Sequence, residues 1–228
     1  MRARARPILI AIVIAGLLMP WATGVALAKC NPGRANNGTY YWVGRSQASS
    51  GSGGVYSRLY TYSPYVTNGG FSYAWVMLPG SGNYQWAQIG NYEVYQGVRK
   101  TAIQYAWSST QVHQINLSPQ TLGSFVYQTV LWDPSSHRFT FQIASSTVYS
   151  VVISQWNPAG AQISSEINTL STQMMGATGN HQNFWDSHIY YSGAWHNYAG
   201  GVTGYNTTYF GLSGSAVNMD TWDLACSA

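Results

Sequence analysis

One stretch of the chain, Phe71 to Glu93, constrains the fold more than any other. Large side chains alternate with smaller ones on both sides of a turn: Phe71, Tyr73, Trp75 and Met77 before it, Tyr84, Trp86 and Gln88 after it. The turn is predicted at 79–83, where proline, glycine and asparagine are concentrated. Because side chains of a strand alternate between two faces, the pattern predicts a β-hairpin. It also aligns Gln88 with two aromatic rings, which is typical either of a cleft floor or of an ordinary strand with an exposed amide.

Similar alternation recurs along the rest of the chain. Short apolar–polar segments are separated by Gly, Asn and Pro turns, and they include an edge strand at Thr39–Arg45 and a short strand at His188–Tyr191. No helical period is sustained, no segment repeats, and the composition does not change along the chain. The sequence therefore predicts an all-β protein, a two-sheet antiparallel β-sandwich that forms a single domain over residues 29–228.

The first residues have the pattern of an export signal. Three arginines (Arg2, Arg4, Arg6) precede an apolar run from Ile8, which ends at the small residues of 26–28. This pattern predicts a signal peptide over residues 1–28, a mature chain that begins at Lys29, and a secreted, extracellular protein without stable membrane insertion. The alternative is a membrane anchor, because residues 8–28 are nearly long enough to span a bilayer.

The charge of the mature chain excludes one class of partner. Removal of residues 1–28 takes three of the 10 Lys and Arg residues and leaves all 6 Asp and Glu, so the net charge falls to about +1. Nucleic-acid binding needs a basic surface, and this chain has no basic cluster left to form one. We expect no nucleic-acid partner, and we expect the protein to be a monomer.

The two cysteines, Cys30 and Cys226, lie at opposite ends of the mature chain. In an oxidising compartment they are predicted to form a disulfide that joins the two termini. The alternative is two unpaired thiols. Two cysteines alone cannot form a closed zinc site.

Acidic residues are scarce, so catalytic carboxylates are few. Within 161–168, Ile163 and Ile167 alternate with polar residues, and the lone carboxylate Glu166 lies on the polar face. Glu166 could therefore face a groove and act as a general acid or base. It could equally be a solvated glutamate on a strand.

Several short motifs resemble those of the eqolisin glutamic peptidases and their neprosin-like relatives. They are Tyr73-Ala74-Trp75-Val76, Trp86-Ala87-Gln88-Ile89-Gly90, Tyr105-Ala106-Trp107 and the strand that carries Glu166. The resemblance implies a concanavalin-like jelly roll with a catalytic dyad of Gln88 and Glu166. Glu166 would activate a water, and Gln88 would stabilise the oxyanion of the tetrahedral intermediate.

The resemblance also predicts where substrate binds and where this chain departs from the family. The predicted substrate-binding residues are the tryptophans of these motifs and Tyr84 at the start of the second hairpin strand: Trp75, Tyr84, Trp86 and Trp107. The acidic loop that follows the A-W-V segment in eqolisins is Leu78-Pro79-Gly80 here, and Ala106 replaces the acidic residue of their Y-E-W segment. These departures remove carboxylates from the region of an acid-adapted cleft.

A second group of residues competes as a candidate site. His181, Asp186, His188 and His196 lie in a segment that is rich in Trp and Tyr. Three interpretations are open: a His/Asp metal site, sugar stacking on exposed rings, or packed aromatic side chains without a ligand. The spacing matches no metal-binding motif, so we predict no metal and no cofactor.

Three functional hypotheses follow from the sequence. The first is a secreted glutamic-peptidase-like hydrolase that acts on polypeptide. The second is a non-catalytic sandwich that binds glycan or cell-surface material. The third is a glycosidase, which would need two carboxyl groups about 5 to 10 Å apart, such as Glu93 and Glu166.

Overall fold

A computed structural model describes residues 29–204 and 206–227. The predicted signal peptide, residues 1–28, lies outside the described residues. Across the described residues the chain has sixteen strands and one single-turn 3₁₀ helix, Tyr95–Gly97. In the same residues, no helix is long and apolar enough to cross a membrane.

The strands form two sheets. In chain order they are β1 (Tyr41–Ala48), β2 (Gly54–Tyr60), β3 (Phe71–Pro79), β4 (Trp86–Val94), β5 (Val98–Ser108), β6 (Gln111–Leu117), β7 (Phe125–Asp133), β8 (Arg138–Ile143), β9 (Ser146–Val152), β10 (Gly160–Ile167), β11 (Gly176–Thr178), β12 (Asn180–Tyr191), β13 (Ala194–Asn197), β14 (Gly201–Thr203), β15 (Phe210–Gly214) and β16 (Met219–Ser227). One sheet has the order β14-β1-β10-β3-β4-β5-β6. The other has the order β15-β16-β11-β12-β2-β7-β8-β9, with β13 paired to β12.

Alternation along the strands builds the core between the sheets. Val76 and Ile89 from the first sheet are fully buried in one cluster with Phe141 and Phe184 from the second. Pairing is antiparallel except between β11 and β16, which run parallel. The predicted two-sheet antiparallel β-sandwich is confirmed.

The predicted hairpin corresponds to β3 and β4. The two strands pair from Phe71↔Val94 to Pro79↔Trp86. The connecting turn spans residues 80–85 instead of the predicted 79–83, and the amide of Gly80 donates to the carbonyl of Gln85 across it at 2.7 Å. Tyr84 therefore lies in the turn and not in the strand.

Two predicted strands differ from the observed ones. The strand predicted at Thr39–Arg45 is β1, and it is not an edge strand, because β10 and β14 flank it. The strand predicted at His188–Tyr191 is the end of the longer β12, Asn180–Tyr191. A register shift between Trp185 and His188 interrupts the alternation along β12, so the sequence pattern shows only its last part.

The N-terminal segment of the described chain is held against the sandwich at several points. Cys30 and Cys226 form a disulfide across a separation of 196 residues, as predicted from the sequence. Arg34 forms an ion pair with the buried Asp223, and Lys29 Nζ contacts Glu93 Oε1 at 2.8 Å. These contacts hold the N-terminal segment of the described chain against β4 and β16.

Candidate functional site

A cleft opens on the face of the first sheet that points away from the core. Its volume is about 830 Å³. Its lining is mostly aromatic and amide side chains: Tyr40, Trp42, Phe71, Trp75, Met77, Asn83, Tyr84, Trp86, Gln88, Gln104, Val112, Gln162, Glu166 and Thr203. We call this region the cleft.

Strand alternation and register explain why these side chains meet. On β4, Ile89 is fully buried in the core, so Gln88 points to the other face of the sheet. On β10, Ile167 is likewise buried, which turns Glu166 to the cleft. The strand β3 lies between β10 and β4, and its Trp75 and Met77 form the floor between the two polar residues.

Glu166 is held by the indole of Trp75. The indole Nε1 donates a hydrogen bond of 3.0 Å to Glu166 Oε2. Burial raises the pKa of Glu166 from 4.5 to about 7, because desolvation disfavours the ionised form, and the Trp75 hydrogen bond opposes part of that rise. A carboxyl group with a pKa near 7 can exchange a proton at neutral pH, as a general base must.

Gln88 is almost fully buried at the base of the cleft. Its side chain is 5% exposed, and its Nε2 donates to Gln104 Oε1 at 2.7 Å. Gln104 lies directly opposite Gln88 in the pairing of β4 with β5. One hydrogen of the Gln88 amide is thus committed to Gln104, while the amide still borders the cleft.

Three of the four predicted substrate-binding aromatics line the cleft. Trp75 lies in its floor, and Tyr84 and Trp86 lie together at one end, with ring centroids 6.3 Å apart. Trp107 does not line it. Its ring packs against the main core cluster and stacks on His113 at 4.8 Å.

Several cleft residues were not predicted from the sequence, and three of them lie close to Glu166 or Gln88. Tyr40 and Trp42 form exposed rings at the end near Glu166, and Gln104 lies beside Gln88. Trp42 pairs directly with Glu166 across β1 and β10, a relation that connects residues far apart in the chain. The alternation of Gln104 with the buried Ile103 and Tyr105 was the available signal for Gln104.

Glu93 lies on the opposite side of the sheet from the cleft. It is 1% exposed, pairs with Lys29 and accepts a hydrogen bond of 3.1 Å from Ser63 Oγ. Burial raises the pKa of Glu93, and Lys29 and Ser63 oppose that rise. A carboxylate on the other face cannot flank the same bond as Glu166, so this pair does not form the glycosidase site considered above.

The histidine residues are not gathered into one site. Each of three imidazole rings stacks on an aromatic side chain: His181 on Trp222, His188 on Tyr56 and His196 on Tyr191. His196 pairs with the buried Ile189 and shares its face, whereas the neighbouring His188 lies on the other face. Among the described residues, no three His, Cys, Asp or Glu side chains could hold a metal ion together. These contacts favour packed aromatic side chains in this region.

Solved structures of peptidases are among those with a similar fold. SCP-B, a member of the eqolisin family of peptidases in complex with the tripeptide Ala-Ile-His, has a TM-score of 0.54 and 13% identity, over 83% of this chain and 100% of that one. Scytalido-glutamic peptidase with a peptide-based transition state analog has a TM-score of 0.56 and 13% identity, over the same shares of the two chains. No protein-family model and no curated protein matches the sequence. The resemblance to the eqolisins is confirmed at the level of the fold.

Proposed function

We propose that the protein is a secreted hydrolase that cleaves peptide bonds in the cleft, with Glu166 and Gln88 as its catalytic residues. The observation that carries this proposal is the Glu166 carboxyl group. It faces the cleft that Gln88 borders, is fixed by the Trp75 indole, and has a pKa of about 7. A carboxyl group placed and tuned in this way suits general-base chemistry at neutral pH.

Glu166 acts as the base in the first step. Trp75 occupies Oε2, so Oε1 is the oxygen that can accept a proton from a water in the cleft. The water oxygen attacks the carbonyl carbon of the peptide bond while its proton passes to Glu166. In the second step the protonated Glu166 returns that proton to the leaving amine as the C–N bond breaks.

Gln88 stabilises the intermediate. The attack places negative charge on the former carbonyl oxygen, and the second Nε2 hydrogen of Gln88 donates to it. The amide is nearly buried, so little water competes for this hydrogen bond.

The lining of the cleft indicates the kind of polypeptide it accepts. Among the described residues that line it, Glu166 is the one carboxyl group and there is no Lys, Arg or His, and rings lie at both ends. An extended segment with apolar or aromatic side chains and few charges fits such a surface, because its desolvation costs little.

The test is cleavage of internally quenched peptides with aromatic and aliphatic side chains, assayed from pH 4 to 9. We expect cleavage by the wild-type protein and a loss of at least about 10²-fold in kcat for Glu166→Gln, which removes the base. Asp186→Asn is the matched control, because Asp186 lies on the second sheet, where its carboxylate accepts a hydrogen bond from the Tyr127 hydroxyl. Equal rates for wild type and Glu166→Gln would refute the proposal.

The exposed rings at the cleft favour one alternative, a non-catalytic glycan-binding protein. Tyr40, Trp42 and Tyr84 are 57%, 42% and 51% exposed, and sugar rings stack on such surfaces. Under this alternative, Trp42→Ala would weaken binding to soluble oligosaccharides in calorimetric titration, Glu166→Gln would not, and no peptide would be cleaved.

A further inference from the structure

A row of amide side chains runs from the cleft to the edge of the first sheet. Gln88 Nε2 donates to Gln104 Oε1 at 2.7 Å, Gln104 Nε2 donates to Gln114 Oε1 at 2.8 Å, and Gln114 Nε2 donates to Asn116 Oδ1 at 2.7 Å. We call these four residues the amide row. Every bond in the row has the same direction, from the buried end at Gln88 to the exposed end at Asn116.

Strand register creates the row. Gln88 pairs with Gln104 across β4 and β5, and Gln104 pairs with Gln114 across β5 and β6. Directly opposed residues on adjacent strands lie about 4.5 to 5.5 Å apart at Cβ, a spacing that lets amide side chains bond from strand to strand. Asn116 follows Gln114 by two positions on β6 and so shares its face.

The row determines how Gln88 presents its amide to the cleft. A glutamine amide can turn over and exchange its oxygen with its nitrogen, unless its neighbours distinguish the two. Gln104 offers its oxygen to Gln88 because its own nitrogen is engaged with Gln114. Turning Gln88 over would place two carbonyl oxygens against each other. The row therefore keeps Nε2 on the β5 side and leaves Oε1 and one N–H hydrogen for the cleft.

We propose that Gln104 and Gln114 are positioning residues that fix the orientation of the Gln88 amide for catalysis. This inference rests on the proposed function, in which Gln88 donates to the oxyanion. Its physical basis is preorganisation, since a donor already held in place needs no reorganisation when charge develops. The bonds of the row also polarise one another, which strengthens each of them in a partly buried site.

The kinetic test is a double-mutant cycle on peptide cleavage. Gln104→Leu removes the acceptor for the Gln88 amide. We expect kcat to fall about tenfold with little change in KM, because a Gln88 amide that is not held in place donates to the oxyanion in only a fraction of the molecules. Gln104→Glu keeps an oxygen acceptor and should restore most of that loss. In the Gln88→Ala background, Gln104→Leu should change kcat by less than twofold, because Gln104 acts through Gln88. Gln111→Leu, an amide removal on β6 outside the row, is the matched control.

A second measurement does not depend on activity. The side-chain amide of Gln88 can be followed by NMR, with its signals identified by their loss in Gln88→Ala. We expect its Nε2 hydrogens to exchange with water at least ten times faster in Gln104→Leu than in the wild type and in Gln111→Leu. Unchanged exchange would overturn the inference.

The outcomes separate this inference from the proposed function. If the wild type cleaves peptides and Gln88→Ala lowers kcat to a small but measurable value, but Gln104→Leu has the wild-type kcat, then the inference fails and the proposed function stands. The inference also fails if Gln104→Leu lowers kcat equally in the wild-type and Gln88→Ala backgrounds, because Gln104 would then have a structural role only. If the wild type cleaves no peptide, the proposed function fails and, with it, the catalytic role of the row; faster exchange in Gln104→Leu would then support only the orientation of Gln88.

Discussion

At the scale of single residues, the environment of Glu166 distinguishes it from the other carboxylates. Glu93 and Asp223 are buried and have cationic partners, Lys29 and Arg34. Glu166 instead has a neutral partner, the indole of Trp75. A neutral donor compensates burial less than a cation does, so the carboxyl group can hold a proton near neutral pH.

The pH dependence of cleavage should follow the ionisation of Glu166. A base works in its ionised form, so kcat/KM should rise with pH and level off above about 7, the pKa of Glu166. Trp75→Phe removes the hydrogen bond that lowers this pKa, so the rising limb should move to higher pH. The measurement is a pH profile of kcat/KM for both proteins.

Tyr73→Phe is the control for that profile. Tyr73 also lies beside Trp75 in a small cluster, and its hydroxyl donates to the carbonyl of Ala102 at 2.7 Å. Burial raises the pKa of Tyr73 above its ordinary value, so this side chain is uncharged at pH 7. Its replacement by Phe should therefore leave the rise of kcat/KM at the same pH. If kcat/KM rises at the same pH in Trp75→Phe as in the wild type, the Trp75 indole does not lower the pKa of Glu166 as described.

At the scale of elements, the β3–β4 hairpin supplies the central part of the cleft. Gly90 lies opposite Trp75 in this pairing. A Cβ at Gly90 would lie 2.1 Å from the carbonyl oxygen of Ala74 and 2.6 Å from the ring of Tyr73. The glycine that follows Gln88 by two positions is therefore required by close packing between the two strands.

Gly90→Ala should destabilise the fold. Overpacking of this kind typically costs about 1 to 3 kcal/mol, because neighbouring backbone and rings must move. Gly201→Ala on β14 is the matched control, since a Cβ there meets nothing within 4 Å, and we expect a change within about 0.5 kcal/mol. Urea unfolding followed by tryptophan fluorescence measures both free energies. Equal stabilities of the two variants would contradict the packing described for the hairpin.

The elements also show where local sequence patterns are insufficient. Trp107 is an exception, because alternation does put it on the core face of β5 with the buried Ile103 and Tyr105, and only the motif resemblance had predicted a cleft residue. Its ring packs towards the core. On β12, Asp186 has a positive φ of 54° and lies within the register shift. The shift interrupts the alternation of side chains, so the sequence pattern does not show most of this strand. Bulges interrupt a period-two pattern, and the sequence gives no clear sign of where they occur.

At the scale of the whole molecule, the disulfide joins two ends that other contacts also hold. The amide nitrogen of Cys30 donates to Gln173 Oε1 at 3.1 Å, and the side chain of Cys226 is 1% exposed. The ion pair of Arg34 with Asp223 lies in the same part of the molecule. These contacts keep the N-terminal segment in place beside β16.

Removal of the disulfide should lower stability without abolishing the fold. Cross-links that close long loops typically contribute about 2 to 5 kcal/mol, and this one spans 196 residues. We expect the free energy of unfolding of the double variant Cys30→Ser, Cys226→Ser to be lower by that amount. Urea unfolding measures it, and the midpoint should lie at a lower urea concentration. Reductant should shift the wild type to the same midpoint and leave the variant unchanged. A variant as stable as the oxidised wild type would contradict this prediction.

The sequence by itself determined the class of fold and the faces of several strands. Alternation is a local property, because neighbouring side chains of a strand must point to opposite sides. It was enough to separate Gln88 from the buried Ile89, and Glu166 from the buried Ile167. The same rule puts Glu93, five positions after Gln88, on the other face. The positions of Cys30 and Cys226, together with the export pattern, likewise predicted the disulfide.

Apart from the β3–β4 hairpin, only the tertiary structure decided which strands are neighbours. The strand β10 lies between β1 and β3, and this order brings Glu166 to Trp75 across 91 residues of sequence and to Trp42 on its other side. The amide row depends in the same way on the registers of β4, β5 and β6. Local pattern fixes the face of a strand, but its partner and register depend on how all the buried faces pack together. For that reason the residues of the cleft were only partly predictable, and their contacts with one another were not.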